Sequence, residues 1–493
     1  MPQVLLPRRV LDLLPLTLLS LCIVLVQAGA FSICRMGAAA TSGGIGLPIR
    51  SALRCLGMTP PNISLLLGRK GGAASSSDES SREIASSWMR TREVRNGYTS
   101  DGRRRLLSMA ELFASKDSSN EKKSLTDGTF AASGNKNLFS RDGVFKLAGY
   151  AAVAYIGKQF FNGGRYDDEP DLSGKVAVIT GGNSGIGKET AIRLATLGAR
   201  VLIACRNSEK GEAAVRDIVN AVSPSSTVEG ASRKKNAAPP QVESLVMDLS
   251  DLKSIDRFAT ELNKHVDKVD ILVNNAGVMA VSNLERTQDG FERQLGVNHL
   301  GHFHLTNRLF DLLLKGAATR DGARIVNVAS EAHRFGGLDL QDPNYLTREY
   351  KKWEAYGQSK LANILFTREL HRRLAEKGMD KKVLALCCHP GVVRTELGRY
   401  LIDDIPSVGK VALAPVALAG WYFTKSPKQG SQTQVYLAAS PTLKDEAERG
   451  AAVGGTYFSD CRPKKTTKEA EDLDAAGKLW KLSEKLTGSS FSV

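Results

Sequence analysis

Six short apolar runs punctuate the chain between residues 175 and 386: Lys175–Thr180 (KVAVIT), Val201–Ala204, Val242–Met247, Val269–Val273, Arg324–Val328 and Val383–Leu386. Each is too short for a helix and rich in β-branched residues. Such runs read as strands. Between them lie longer segments with helical spacing, such as Lys188–Leu197, Ser254–His265 and Lys360–Lys377. Strands alternating with helices predict an α/β fold with a doubly wound parallel sheet, and right-handed crossovers then fix most of its topology. The stretch Ser223–Pro240 (SPSSTVEGASRKKNAAPP) interrupts this rhythm and predicts a surface insertion.

This rhythm fills 171–488 and leaves a long N-terminal remainder in a chain of 493 residues. An apolar content of 42% supports a real core and excludes disorder of the whole chain. The net charge of +15 first suggests nucleic acid or a membrane surface, but its distribution changes the picture. Residues 1–105 carry fourteen basic and six acidic side chains, so about half the excess lies in the first fifth of the chain. A nucleic-acid partner would place its basic stripe on a folded face, and none is expected.

Arg8 and Arg9 precede Leu13–Val26 (LLPLTLLSLCIVLV), a run with the length of a signal-peptide core, followed by the small-residue site Ala28-Gly29-Ala30. Residues 1–30 are therefore expected to be a signal peptide. The next segment, 31–105, begins with Phe31, is rich in Ser and Arg and has no acid before Asp78, the composition of a transit peptide. Together they resemble the bipartite presequences of algae with complex plastids, which implies a plastid address; plain secretion is the alternative. Residues 106–142 predict a linker. Within 143–161 the uninterrupted apolar run Leu147–Gly157 is too short to span a bilayer. Lys146 and Lys158 flank it and could snorkel, so it is expected either to associate with a membrane or to pack on the main domain. Cys22, Cys34 and Cys55 fall in the presequence. Cys205, Cys387, Cys388 and Cys461 match no metal spacing and predict buried apolar thiols. His302, His304, His333 and His389 lack an acidic cluster and do not form a metal set.

The first strand runs straight into Gly181-Gly182-Asn183-Ser184-Gly185-Ile186-Gly187 and then into a helix. Strand, glycine-rich turn and helix N-terminus are what a dinucleotide pyrophosphate requires. Glycines let the backbone approach, and the helix end stabilises the charge. Further motifs follow in order: Asp248-Leu249, Asn274-Asn275-Ala276-Gly277, Asn298 in NHLGHF, Ser330 ending IVNVAS, Tyr356 and Lys360 in YGQSK, and His389-Pro390-Gly391. On these motifs the chain resembles the short-chain dehydrogenase/reductase superfamily across roughly 171–485, with a Rossmann-type sheet and a single catalytic domain. SEAHRF, AYGQSKLAN and the tail GGTYFSDC narrow the resemblance to the retinol-dehydrogenase-like branch, which includes a plastid inner-envelope dehydrogenase associated with the import machinery.

Carbonyl reduction needs a hydride donor, a proton donor and stabilisation of oxyanion charge. Lys360 follows Tyr356 by one helical turn, so its ammonium is expected to lower the Tyr pKa. The resemblance implies that Lys360 also binds the nicotinamide ribose, that Ser330 bonds the substrate oxygen, and that Asn298 holds a relay water. It places Gly181, Asn183, Ser184, Gly185, Ile186, Gly187, Asn207, Asp248, Leu249, Asn275, Ala276, Gly277, Pro390, Gly391 and Val392 along the cofactor. At the end of the second strand Arg206 stands where an acid would select NAD(H), and a guanidinium there suits a 2′-phosphate, so NADP(H) is expected. The 26 residues from Ser330 to Tyr356 predict a loop or short helix beside the substrate cleft, and Leu397–Pro415 its variable end.

The resulting expectation is an NADP(H)-dependent oxidoreductase that interconverts a small-molecule carbonyl and alcohol, on a lipophilic substrate. Two alternatives stay open, an NADPH-binding redox sensor or scaffold at a plastid membrane and a chlorophyll-pathway reductase. The resemblance also leaves a homodimer open. The basic-amphipathic stretch Lys464–Leu486 is expected to be a packed terminal helix, with a calmodulin-like partner as the alternative.

Overall fold

The computed structural model describes residues 155, 157–223, 239–394 and 420–493. The signal peptide, transit segment, linker, most of 143–161, most of the Ser223–Pro240 insertion and all of Leu397–Pro415 lie outside the described residues. The expectations made for them stand as made.

Seven parallel strands and one antiparallel strand form a sheet in the order β3-β2-β1-β4-β5-β6-β7-β8. They are β1 (Val176–Thr180), β2 (Arg200–Cys205), β3 (Val242–Val246), β4 (Ile271–Asn274), β5 (Ala323–Val328), β6 (Val383–His389), β7 (Tyr457–Ser459) and β8 (Arg462–Pro463). The expected six strands are all present, within a few residues at each end. Their side chains alternate between two cores. Ala177, Ile179, Val201 and Ile203 pack with Leu194 of helix α1 (Gly185–Thr196) and Ile218 of α2 (Ser208–Val222). Val178, Leu202 and Leu272 pack with Phe258 of α3 (Leu252–His265), Phe303 of α4 (Gly301–Arg308) and Phe366 of α5 (Lys352–Glu376). A strand facing two apolar layers cannot alternate apolar with polar, which is why most of the runs are largely apolar.

Two features differ from expectation. Helix α5 begins at Lys352, eight residues before the expected Lys360, so Tyr356 sits inside the helix. The β7–β8 hairpin was not expected, because strands of three and two residues carry no periodic signal. Its turn residues Asp460 and Cys461 both hold positive φ, 53° and 57°, a turn normally built from Asn and Gly. Of the two alternatives for 143–161, the described end takes the packed one: Lys158 donates to the carbonyls of Trp421, Tyr422 and Thr424. Phe161 packs edge-on against Phe423 at 4.8 Å, so the described end of this segment packs on the main domain, while Phe160 stays exposed. Among the described residues no helix is long and apolar enough to cross a membrane.

The terminal helix α7 (Leu473–Thr487), which follows α6 (Gln432–Ala439) in chain order, is packed. Trp480 is 1% exposed and meets Phe303 at 5.1 Å and Phe491 at 4.9 Å. Its apolar face is therefore committed to the core, and the calmodulin-like alternative loses the face it would need.

Candidate active site

The carboxyl ends of the parallel strands form one crest, and the sheet order reverses between β1 and β4. Loops diverge there and open a crevice, the usual ligand position in such sheets. The crest carries Gly181 after β1, Arg206 after β2, Asp248 after β3, Asn275 after β4, Ser330 after β5 and Pro390 after β6.

The glycine loop is shaped by exclusion. Gly181 has φ 65° and Gly185 φ 52°, a region where side chains are strained. A Cβ on Gly187 would stand 2.4 Å from the Gly181 carbonyl oxygen and 2.5 Å from Asn275 Nδ2. Ser184 occupies the N-cap of α1 without accepting a hydrogen bond on its side chain. The first-turn N–H groups thus keep their donors for an anion, and the helix dipole adds a partial positive charge. This bare cradle fits a pyrophosphate. Asn183 and Ile186 are half-buried within it.

Not every expected cofactor residue has a free side chain. Asn207 Oδ1 caps α2 by accepting from the Lys210 amide at 2.7 Å. Asp248 Oδ1 accepts from the Ser250 amide at 2.9 Å and from its hydroxyl at 2.7 Å. Leu249 is buried against Gly301. The Asn275 side chain donates to the Thr180 carbonyl at 2.8 Å and accepts from Gln434 at 3.2 Å. These contacts shape the loops that approach a cofactor. Arg206 is exposed and makes no ion pair among the described residues. Gly391 has φ 91°, and a Cβ there would meet Lys425 Cε at 2.7 Å. Pro390 beside it is half-buried and Val392 is exposed.

Ser330, Tyr356, Lys360 and Asn298 converge beside this loop. Tyr356 faces Ser330, whose side chain acts on its phenol, and Ser330 Oγ accepts from the Ala332 amide at 3.2 Å. Lys360 Nζ donates to the Val328 carbonyl at 3.0 Å and lies 5.7 Å from the centre of the Tyr356 ring. A Cβ on Gly277 would meet Asn298 Oδ1 at 2.9 Å and Lys360 Nζ at 3.6 Å, so Asn275-Ala276-Gly277 borders both. The Asn298 side chain is held at both ends: Nδ2 donates to the Val278 carbonyl and to Ser359 Oγ, both at 2.9 Å, and Oδ1 accepts from the Val278 amide at 2.8 Å. The Asn298 main-chain carbonyl is a further acceptor, with room for a water.

Burial dominates the electrostatics, which corrects one expectation. Tyr356 is pushed up to about 12 by burial, and Ser330 pulls only partly the other way. Lys360 is brought down to about 8, again by burial. The expected lowering of Tyr356 by Lys360 is not found; loss of hydration disfavours the phenolate and the ammonium alike. Tyr356 therefore holds its proton at neutral pH, as a proton donor must.

Three contributors went unnoticed in the sequence. Thr180 Oγ1 accepts from the Asn275 and Ala276 amides, both at 2.9 Å, and so ties β4 to β1. Ser359 connects Asn298 to the Tyr356 carbonyl, to which it donates at 2.8 Å. His302, expected only as a structural histidine, bonds both Thr180 and Asn298. A Thr before a Gly-Gly turn was visible, but its partners lie about a hundred residues away. Between Ser330 and Tyr356, Asp342 accepts from the Leu346 and Thr347 amides, and Gln358 of α5 donates to the Pro343 carbonyl at 3.0 Å. This segment is a held loop that follows a short 3₁₀ turn at Glu331–Arg334. Among the described residues no group of three or more His, Cys, Asp or Glu could hold a metal ion.

The family model for short chain dehydrogenase matches residues 175–231 and 223–405. Retinol dehydrogenase 13 of Homo sapiens is 40% identical over 342 residues, covering 69% of this chain and 93% of that protein. Retinol dehydrogenase 14 of Mus musculus is 38% identical over 348 residues, covering 69% and 96%. Retinol dehydrogenase 12 of Homo sapiens is 40% identical over 331 residues, covering 67% and 92%. A crystal structure of an uncharacterized protein from Mycobacterium Paratuberculosis aligns with TM-score 0.49 and 35% identity, over 67% of this chain and all of that one.

Proposed function

The chain belongs to the short-chain dehydrogenase family, and from that premise we propose that it is an NADP(H)-dependent oxidoreductase interconverting a carbonyl and an alcohol on a lipophilic substrate. The observation that carries this reading is the meeting of Tyr356, Ser330 and Lys360 beside a glycine loop with uncapped helix N–H groups. Bound nicotinamide supplies or accepts the hydride. Tyr356 then protonates the developing alkoxide, and in the reverse direction takes the alcohol proton. Ser330 Oγ, facing Tyr356, donates to the same oxygen. Lys360 holds ribose hydroxyls and sets positive charge beside the phenol as proton moves. Asn298 offers its carbonyl to a water that resupplies the proton. Gly181–Gly187 and the Asn275–Gly277 loop hold the pyrophosphate and the ribose. The lipophilic substrate class rests on the names of the retinol dehydrogenases that share 38 to 40% of their residues. A panel of aldehydes, ketones and retinoids tested with NADPH on the purified protein checks the assignment; no turnover on any member would sink it.

The cofactor assignment rests on Arg206, whose exposed guanidinium stands at the end of β2 where an acid would select NAD(H). A charge-assisted hydrogen bond contributes about 1.5–3 kcal/mol, so Arg206→Ala is expected to lower kcat/KM for NADPH roughly 10- to 100-fold and to leave NADH almost unchanged. Steady-state kinetics with both cofactors measure this, and a wild-type preference for NADH refutes it.

The presequence reading is a proposal of the same kind. Fusing residues 1–105 to a fluorescent protein is expected to send it to a complex plastid in a host that has one. Its secretion instead would overturn the address.

A further inference from the structure

The catalytic Asn298 is joined to the cofactor loop through one buried imidazole. Residues Gly296–Leu300 form a π-turn, in which the Gly301 amide bonds the Gly296 carbonyl rather than following the α ladder. Such a turn displaces carbonyls from their usual donors. His302, 2% exposed and at the start of α4, supplies a side-chain donor there: Nδ1 lies 3.0 Å from the Asn298 carbonyl oxygen. A carbonyl can only accept, so Nδ1 carries the proton. The opposite nitrogen, Nε2, lies 2.9 Å from Thr180 Oγ1. Burial pushes His302 down to about 4, so the ring is neutral at working pH and Nε2 is an acceptor. Thr180 must then donate its hydroxyl proton to His302, while its oxygen accepts the Asn275 and Ala276 amides at 2.9 Å each. The directions along the chain are thus determined: the loop amides donate to Thr180, Thr180 to His302, and His302 to the Asn298 carbonyl.

We propose that His302 is a positioning residue that aims the Asn298 carbonyl at the proton-relay water and couples that aim to the cofactor loop through Thr180. The proposal rests on the catalytic reading of Asn298, Tyr356 and Lys360 given above. Each carbonyl oxygen has two lone pairs, and the imidazole takes one. The other remains for the relay, held in direction because the ring is pinned at both nitrogens. Without the ring, the carbonyl can turn back toward its own helix, and Thr180 can turn its hydroxyl to the Val273 carbonyl at 3.5 Å. Neither group is left stranded, so the loss falls on alignment more than on the fold.

Two substitutions separate the halves of the bridge, because Asn places an amide near the position of Nδ1 and Gln places one near Nε2. His302→Phe is expected to lower kcat about tenfold, the order of one aligned hydrogen bond. His302→Asn restores the donor to the Asn298 carbonyl. It is expected to recover most of the lost kcat while raising KM for NADPH, since Thr180 has lost its partner. His302→Gln restores the Thr180 contact, and is expected to keep KM near that of the wild type with kcat still low. A merely structural role predicts instead that the Asn and Gln variants lose kcat together, in step with their Tm. That result overturns the bridge, as does a His302→Phe enzyme with undiminished kcat. Tyr356→Phe run beside the series distinguishes this from failure of the catalytic reading. Full turnover in Tyr356→Phe refutes that reading, whereas loss there with an intact His302→Phe refutes only the bridge.

Discussion

Tyr356→Phe is expected to lower kcat for carbonyl reduction by about 10²- to 10⁴-fold, the usual contribution of a positioned general acid, while leaving NADPH affinity nearly unchanged. The substitution removes one hydroxyl from a side chain that is 5% exposed. The ring keeps its edge contact with Trp353, 6.3 Å between centres, so packing changes little. Lys360 keeps its bond to the Val328 carbonyl and with it the position from which it would hold the ribose. Ser330 retains the Ala332 amide. Activity and cofactor binding should therefore separate, which single-turnover kinetics and a fluorescence titration with NADPH can each measure. A variant that turns over like the wild type would favour the redox-sensor or scaffold alternative, in which the same fold binds NADPH and catalysis is incidental.

Gly187→Ala should be nearly as damaging by a different route. Its new Cβ would lie 2.4 Å from the Gly181 carbonyl oxygen and 2.9 Å from the carbonyl carbon, both backbone atoms that cannot swing aside. It would also press on Asn275 Nδ2, which holds the Thr180 carbonyl at 2.8 Å. Relief requires moving the loop away from the helix end, which is the cradle for the pyrophosphate. Overpacking of this kind costs about 1–3 kcal/mol of stability, and NADPH affinity is expected to fall about 100-fold or more. Gly477 in α7 is the control, because a Cβ there meets nothing within 4 Å. Gly477→Ala is expected to be neutral or to stabilise by about 0.5–1 kcal/mol. Thermal melts with and without NADPH test both. Equal behaviour of the two alanine variants would count against a sterically closed loop at Gly187.

Much of this site was legible because its chemistry is local. Strand, glycine turn and helix are contiguous at 176–196, and Tyr356 and Lys360 are one turn apart, so both could be placed from spacing. Most of the six long strands were legible because both sheet faces are covered and their runs are largely apolar, whereas β3 carries Glu243 and Ser244 at the sheet's edge. The hairpin of Tyr457–Pro463 was not, since its strands are shorter than any period and its turn uses Asp460 and Cys461 in place of glycine. The start of α5 was misplaced because Trp353 is the one large apolar side chain between Lys351 and Ala355 and sets no apolar stripe alone.

By itself, then, the sequence determined the doubly wound parallel sheet, the family resemblance, and which side chains could carry hydride chemistry, because each depends on neighbours along the chain. Tertiary structure decided the protonation of that site and its wiring. Burial raised Tyr356 and lowered Lys360 against the expectation from their pairing, since desolvation depends on everything packed around the pair. It likewise turned His302 from an unassigned histidine into a link between Asn298 and Thr180, the latter 122 residues from His302 along the chain. Which strand end lies beside which helix turn is a property of the folded sheet, and spacing along the chain carries no record of it.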